Sequence, residues 1–212
     1  AEARWFFVED ALLGNVDAVL GKMACVEQFV QISVSGKAAP AGWLAFADLA
    51  SGPADEPQVL IDSDDVATMF FTSGTESAPK GVLTSHANFY ASHLAWALNF
   101  GLAQDDSLLM SLPLIHVAGY LFSTYALANQ VTMVMTQVPQ PVQMIDLVAR
   151  HRLSVTVLPP TLYVAMLSCP NFGPSDLRCV TKLGTWASTI PKSMIDGWKQ
   201  AAPSSRFFSV QG

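Results

Sequence analysis

A chain of 212 residues is long enough for one large domain or two small ones. Hydrophobic residues make up 51% and charged residues 13%, against about 25% charged in ordinary globular domains, a balance that argues for a packed interior and against disorder. The net charge is −6, and no Lys or Arg falls between Lys80 and Arg150, so the clustered cations that displace counterions from nucleic acid or dock on anionic lipid are missing.

In chain order, short β-prone runs are expected at 5–8, 29–34, 68–72, 107–111, 131–136, 154–158, 179–183 and 207–210. Segments of helical spacing lie between them. Residues 87–102 place Phe89, His93, Trp96 and Phe100 on one face, 141–152 place Ile145, Val148 and Ala149, and 191–201 place Met194, Ile195 and Trp198. This alternation predicts an α/β fold of largely parallel sheets flanked by helices. The Pro-, Gly- and acid-rich stretch 37–65, with a short helical patch at 43–49, is expected to be a surface connection leading into the next core strand. The most apolar stretch, 108–135, is broken by Pro113, His116, Asn129 and Gln130, so no membrane span is expected. Cys25, Cys169 and Cys179 lack metal-ligand spacing, and the acidic N-terminus lacks the basic start of a signal peptide; both fit a reduced, cytoplasmic chain.

The chemistry concentrates in one loop. The apolar run 68–71 is expected to be a buried strand, and it leads directly into Thr72-Ser73-Gly74-Thr75-Glu76-Ser77-Ala78-Pro79-Lys80-Gly81-Val82. Glycine lets backbone amides approach an anion, hydroxyls donate to phosphate oxygens, and Lys80 adds a point charge. A Walker loop needs a lysine directly before Ser or Thr and then a helix, whereas Gly81 and the β-prone 82–84 follow here. On composition alone a polar hairpin turn is the competing reading, since Ser, Thr, Gly and Pro are the common turn residues.

The segment FTSGTESAPKGV at 71–82 resembles the signature (Y/F)TSGTTGxPKGV of the adenylate-forming superfamily, which includes acyl-CoA synthetases, firefly luciferase and peptide-synthetase adenylation domains. It departs at Glu76 and Ser77. The resemblance implies that Thr72, Ser73, Gly74, Thr75 and Lys80 wrap the β- and γ-phosphates of ATP, with Thr75 a candidate ligand of Mg2+. Other segments follow in the family's order. Ser85-His86-Ala87-Asn88 resembles HxNL, with Ser85 expected to cap the helix. Residues 112–119, LPLIHVAG, resemble PLFHxxG, which implies a position for His116 between nucleotide and carboxylate; His93 is expected to be helix packing and His151 surface. Residues 157–161, VLPPT, resemble VPP(S/T) and mark a strand-to-helix corner. In LRCVTKLGTWASTIP at 177–191, Trp186, Ala187 and Ser188 match the GGA whose backbone lies near adenine. Residues 208–212 resemble the strand entering YGxTE.

The resemblance covers most of residues 60–212 and implies a fragment, 1–212, of the N-terminal adenylation (AMP-binding) domain, without the C-terminal lid domain. The activity it implies is ATP-dependent conversion of a carboxylic acid to an acyl-adenylate and then to a coenzyme A thioester, an acid–thiol ligase with ATP, Mg2+ and coenzyme A as partners and catalytic roles for Lys80 and His116. Two alternatives stand beside it: an adenylation domain loading the thiol of a carrier protein, and a nucleotide-binding remnant without chemistry. Oligomeric state is left open, a homo-oligomer included.

Overall fold

The computed structural model describes residues 2–72, 78–186 and 188–210. They form two compact units, Ala1–Ile61 and Asp62–Gly212. The boundary falls inside the Pro-rich stretch expected to be a connection. That stretch also contributes a strand, because Leu44 and Ala45 hydrogen-bond to the strand beside them and Trp43 packs on Phe29 with ring centroids 4.9 Å apart.

The first unit carries a parallel sheet of β1 (Trp5–Glu9), β2 (Gln28–Ile32) and β3 (Leu44–Ala45), in that order. Two short helices, α1 (Leu13–Asp17) and α2 (Phe46–Ala50), complete it, so the helical patch expected at 43–49 begins after β3. Beyond the end of β1, buried Asp10 accepts hydrogen bonds from the Ser35 hydroxyl (2.6 Å) and amide (2.9 Å). These bonds, the hydroxyl's first, hold its carboxyl down to about 2 from an ordinary 3.8. A depressed carboxylate stabilises the fold fully above its ordinary value, and that contribution is lost as pH falls from 3.8 through about 2. Acid unfolding followed by circular dichroism should therefore be flatter across this window in Asp10→Asn than in the parent.

In the second unit, β4 (Val66–Phe71) and β5 (Gly81–Ser85) form an antiparallel hairpin. The strand expected to be buried is only half so: Val66, Met69 and Phe71 are exposed. A parallel sheet of β6 (Ser107–Met110), β7 (Thr132–Met135), β8 (Val155–Val157), β9 (Lys182–Trp186) and β10 (Arg206–Val210) follows, in the order β10-β9-β8-β6-β7. Its helices are α3 (His86–Phe100), α4 (Val117–Ala128), α5 (Pro141–His151), α6 (Pro160–Leu167) and α7 (Lys192–Ala201). Strand alternation sorts the core into two layers. Leu108, Met110, Val155 and Val157 pack with Phe100 of α3 and Phe122 and Tyr125 of α4. Leu109 and Leu183 pack with Ile145 of α5, Tyr163 of α6 and Trp198 of α7.

Helix α3 begins where a reciprocal cap predicts: the Ser85 hydroxyl accepts the Asn88 amide, and the Asn88 side chain accepts the Ser85 amide. It stops at Gly101, which takes the left-handed conformation (φ 62°) at no steric cost. His93 packs inward as expected, 3.2 Å from the Thr124 hydroxyl, and its desolvation lowers the imidazole pKa. Strand β9 starts three residues later than expected. Leu177–Val180 closes a turn, and Lys182 opens the strand by pairing with buried Asp106, which also accepts from Ser154. The Cys169 and Cys179 thiols donate to the Ala165 and Val148 carbonyls. Among the described residues, no helix is long and apolar enough to cross a membrane.

Tyr163 joins the α6 layer to two strands. Its fully buried hydroxyl lies 2.9 Å from the Thr156 hydroxyl, 2.9 Å from the Thr156 carbonyl and 3.0 Å from that of Gly184. Tyr163→Phe strips a donor from these acceptors, and the expected loss is about 1–3 kcal/mol of unfolding free energy in urea titration.

Candidate active site

The sheet has its topological reversal between β6 and β8. From β6 the chain passes to α4 on one face, and from β8 it passes to α6 on the other. In open parallel sheets the crevice outside the carboxyl ends at such a reversal is the preferred ligand site. His116 lies on the segment leaving β6, Pro159 and Pro160 turn the chain from β8 into α6, and Trp186 ends β9.

The hairpin presents the phosphate-loop candidates. Beyond the β4/β5 ladder the Thr72 amide donates to the Lys80 carbonyl (2.9 Å), and the Lys80 amide donates to the Thr72 hydroxyl (3.3 Å). These bonds clamp the neck of the intervening loop. Thr72 and Lys80 are exposed, and the Lys80 ammonium makes no hydrogen bond or ion pair among the described residues. Ser73, Gly74, Thr75 and Ala187 lie outside the described residues, so the expectations placed on them, Thr75 as a metal ligand among them, rest on sequence. Alternation along β4 puts Thr72 on the same side as Phe70. The Phe70 ring meets Tyr120 of α4 at 5.4 Å, and Tyr120 meets Phe89 of α3 at 5.3 Å. The hairpin neck is thereby packed onto the first turns of α4.

His116 caps that helix. Its Nδ1 accepts the Ala118 amide (3.1 Å), its own amide donates to the Pro113 carbonyl (3.0 Å), and its carbonyl accepts the Tyr120 amide (3.1 Å). An accepting Nδ1 carries no proton, so the neutral ring holds its proton on Nε2. The side chain is exposed, unlike His93, and the Nε2–H is available to an incoming acceptor. Trp186 is partly buried against the Phe100 and Phe122 layer, and Ser188 is exposed. Both stand at the same end of the sheet as His116, but no hydrogen bond or ring contact among the described residues joins them to Lys80 or His116.

Sequence reasoning missed two features here. The pairing of Phe70 with Tyr120 spans fifty positions and leaves no local signal. The hydroxyls of Ser111, Thr136 and Thr185, at or just beyond the carboxyl ends of β6, β7 and β9, are buried without a partner among the described residues. No group of three His, Cys, Asp or Glu side chains among the described residues could hold a metal ion. A cleft of about 470 Å³ opens at the opposite, amino end of the sheet beside Leu98, Lys182 and Arg206, away from His116.

Comparison with known proteins bears on this geometry. The sequence model of the AMP-binding enzyme family matches residues 1–210. A 2-succinylbenzoate–CoA ligase of Bacillus velezensis is 30% identical over 136 residues, covering 64% of this chain and 28% of that protein. An indoleacetate–CoA ligase of Aromatoleum aromaticum is 30% identical over 197 residues, covering 89% of this chain and 37% of its own length. The chain thus spans 28% and 37% of these two relatives. Among solved structures, the luciferase-like enzyme of the nonluminescent Zophobas morio mealworm superimposes with a TM-score of 0.84 at 19% identity, over 99% of this chain and 48% of that one. An anthranilate CoA ligase in complex with anthranoyl-AMP gives 0.83 at 21% identity, over 97% and 40%. These likenesses confirm the α/β fold, and the family match carries the conclusion: the chain belongs to the AMP-binding enzyme family.

Proposed function

We propose that this chain is part of the N-terminal adenylation domain of an acid–thiol ligase that makes a coenzyme A thioester from an aromatic or aliphatic carboxylic acid. The observation that carries the reading is the joint placement of two polar groups. The hairpin neck at Thr72 and Lys80 is packed through Phe70 and Tyr120 onto the turn where His116 holds an outward Nε2–H. The CoA ligases to which the chain is similar, named for 2-succinylbenzoate and indoleacetate, support the same class of acid.

In this reading a carboxylate oxygen of the acid attacks the α-phosphorus of ATP. The bond from that phosphorus to the bridging oxygen breaks, and pyrophosphate leaves with the electron pair. Lys80 stabilises the charge growing on the leaving phosphates. His116 donates Nε2–H to the free carboxylate oxygen and aims the attacking one, which is a saving in orientation entropy. The coenzyme A thiol, losing its proton to solvent, then attacks the acyl carbon and AMP departs. ATP is taken to enter as its Mg2+ complex, and no step here depends on groups that hold the metal.

The test is acid-dependent exchange of labelled pyrophosphate into ATP by the full-length polypeptide across a panel of aryl, aliphatic and amino acids. Exchange with an aryl or aliphatic acid is expected. Exchange confined to amino acids, or none with any acid, would refute the reading. The 212-residue chain by itself is expected to show trace adenylation at most.

A further inference from the structure

We infer that Gly119 is a positioning residue for this reaction, acting through His116; the inference rests on the role proposed above for that histidine. After β6 the segment Leu112–His116 doubles back over the first turn of α4. A Cβ at buried Gly119 would overlap the Pro113 carbonyl oxygen, sit 2.7 Å from its carbon and lie 3.0 Å from the Leu112 carbonyl oxygen. All three atoms are backbone and cannot swing aside as a side chain would.

The same Pro113 carbonyl accepts the His116 amide at 3.0 Å. It is therefore held from both sides, by the bare Cα of Gly119 beneath and by the amide of His116 ahead. The imidazole is fixed in turn by the Ala118 amide, which donates to Nδ1 at 3.1 Å from the residue just before Gly119. Backbone approach, amide bond and ring bond form one closed loop of contacts. A single methyl at position 119 forces the Pro113 carbonyl outward and lengthens its bond to the His116 amide. The ring then loses its alignment with the Ala118 amide, and with it the bond that excludes the Nδ1–H tautomer. The glycine is needed for this close approach and not for its dihedral freedom, since it lies within regular helix.

The experiment compares Gly119→Ala with the parent in the full-length enzyme, using an acid that supports exchange. The expected result is a fall of about 10- to 100-fold in kcat/KM for the acid, with ATP affinity within about twofold. Nitrogen-15 spectra of the imidazole should show a mixture of tautomers in place of a single Nε2–H form. A second variant keeps the inference testable if Gly119→Ala does not fold. Ala118→Pro deletes the amide that Nδ1 accepts, at a first-turn position where proline's missing N–H is tolerated. It is expected to give the same tautomer mixture and the same loss for the acid. Wild-type kinetics and an unchanged imidazole spectrum in either folded variant overturn the inference. If such a variant is unaffected while His116→Asn is inactive, the positioning role alone fails. If His116→Asn is active, the role of His116 itself fails.

Discussion

Replacing His116 by asparagine is expected to remove most acid activation while leaving the fold at full stability. The two roles of this side chain sit on different atoms. Nδ1 caps α4 by accepting the Ala118 amide, and Nε2, on an exposed side chain, has no hydrogen bond among the described residues. Asparagine is as good an N-cap as any residue, so the helix keeps its start. It has no donor at the reach of Nε2, so the carboxylate loses its guide. The full-length enzyme should lose roughly 10- to 100-fold in kcat/KM for the acid, about 1.4–2.7 kcal/mol of transition-state stabilisation. Its thermal midpoint should match the parent. His116→Ala should show the same kinetic loss together with about 1 kcal/mol of lost stability, because alanine caps poorly. Wild-type kinetics in the asparagine variant would reduce His116 to a helix cap.

The second large effect is expected at Lys80. Its backbone belongs to the hairpin neck, but its ammonium has no partner among the described residues. Lys80→Ala should therefore leave stability within about 0.5 kcal/mol, as for surface positions without special contacts. Adenylation in the full-length enzyme should slow by one to three orders of magnitude, roughly 1.4 kcal/mol per decade. Pyrophosphate exchange measures the rate, and urea titration measures the stability. An unchanged exchange rate would take Lys80 out of the mechanism.

Much of the fold was legible because local chemistry and tertiary position agree. The segment read as helical at 87–102 has a serine cap at Ser85 and one aromatic face, and it forms α3 with that face turned toward Phe122 and Tyr125, ending two residues earlier than expected, before Gly101. Pro160 opens α6 at the corner that the paired prolines mark. Where the two levels conflict, the reading slipped. The run expected at 179–183 stops before glycine, a poor strand residue, yet β9 continues through Gly184 to Trp186 because the core encloses Leu183, Gly184 and Thr185. β3 is two residues long and exists only because β2 lies beside it.

The candidate site divides in the same way. The order of hydroxyls, glycines and lysine marks the hairpin loop, and the proline-histidine segment marks the turn before α4. Neither segment reveals that Phe70 and Tyr120 join them, since that contact depends on how two remote elements pack. The tautomer of His116 is also hidden in the sequence. It follows from an amide two residues on, and only the fold aims that amide at Nδ1.

The central claim is that a carboxylate oxygen of the acid becomes bonded to the α-phosphorus of ATP. It is tested most directly by supplying the full-length enzyme with an acid labelled with oxygen-18 in both carboxylate positions, together with ATP and coenzyme A, and weighing the nucleotide released. The account predicts AMP carrying one oxygen-18 atom. Unlabelled AMP, or ADP with the label in inorganic phosphate, would contradict it.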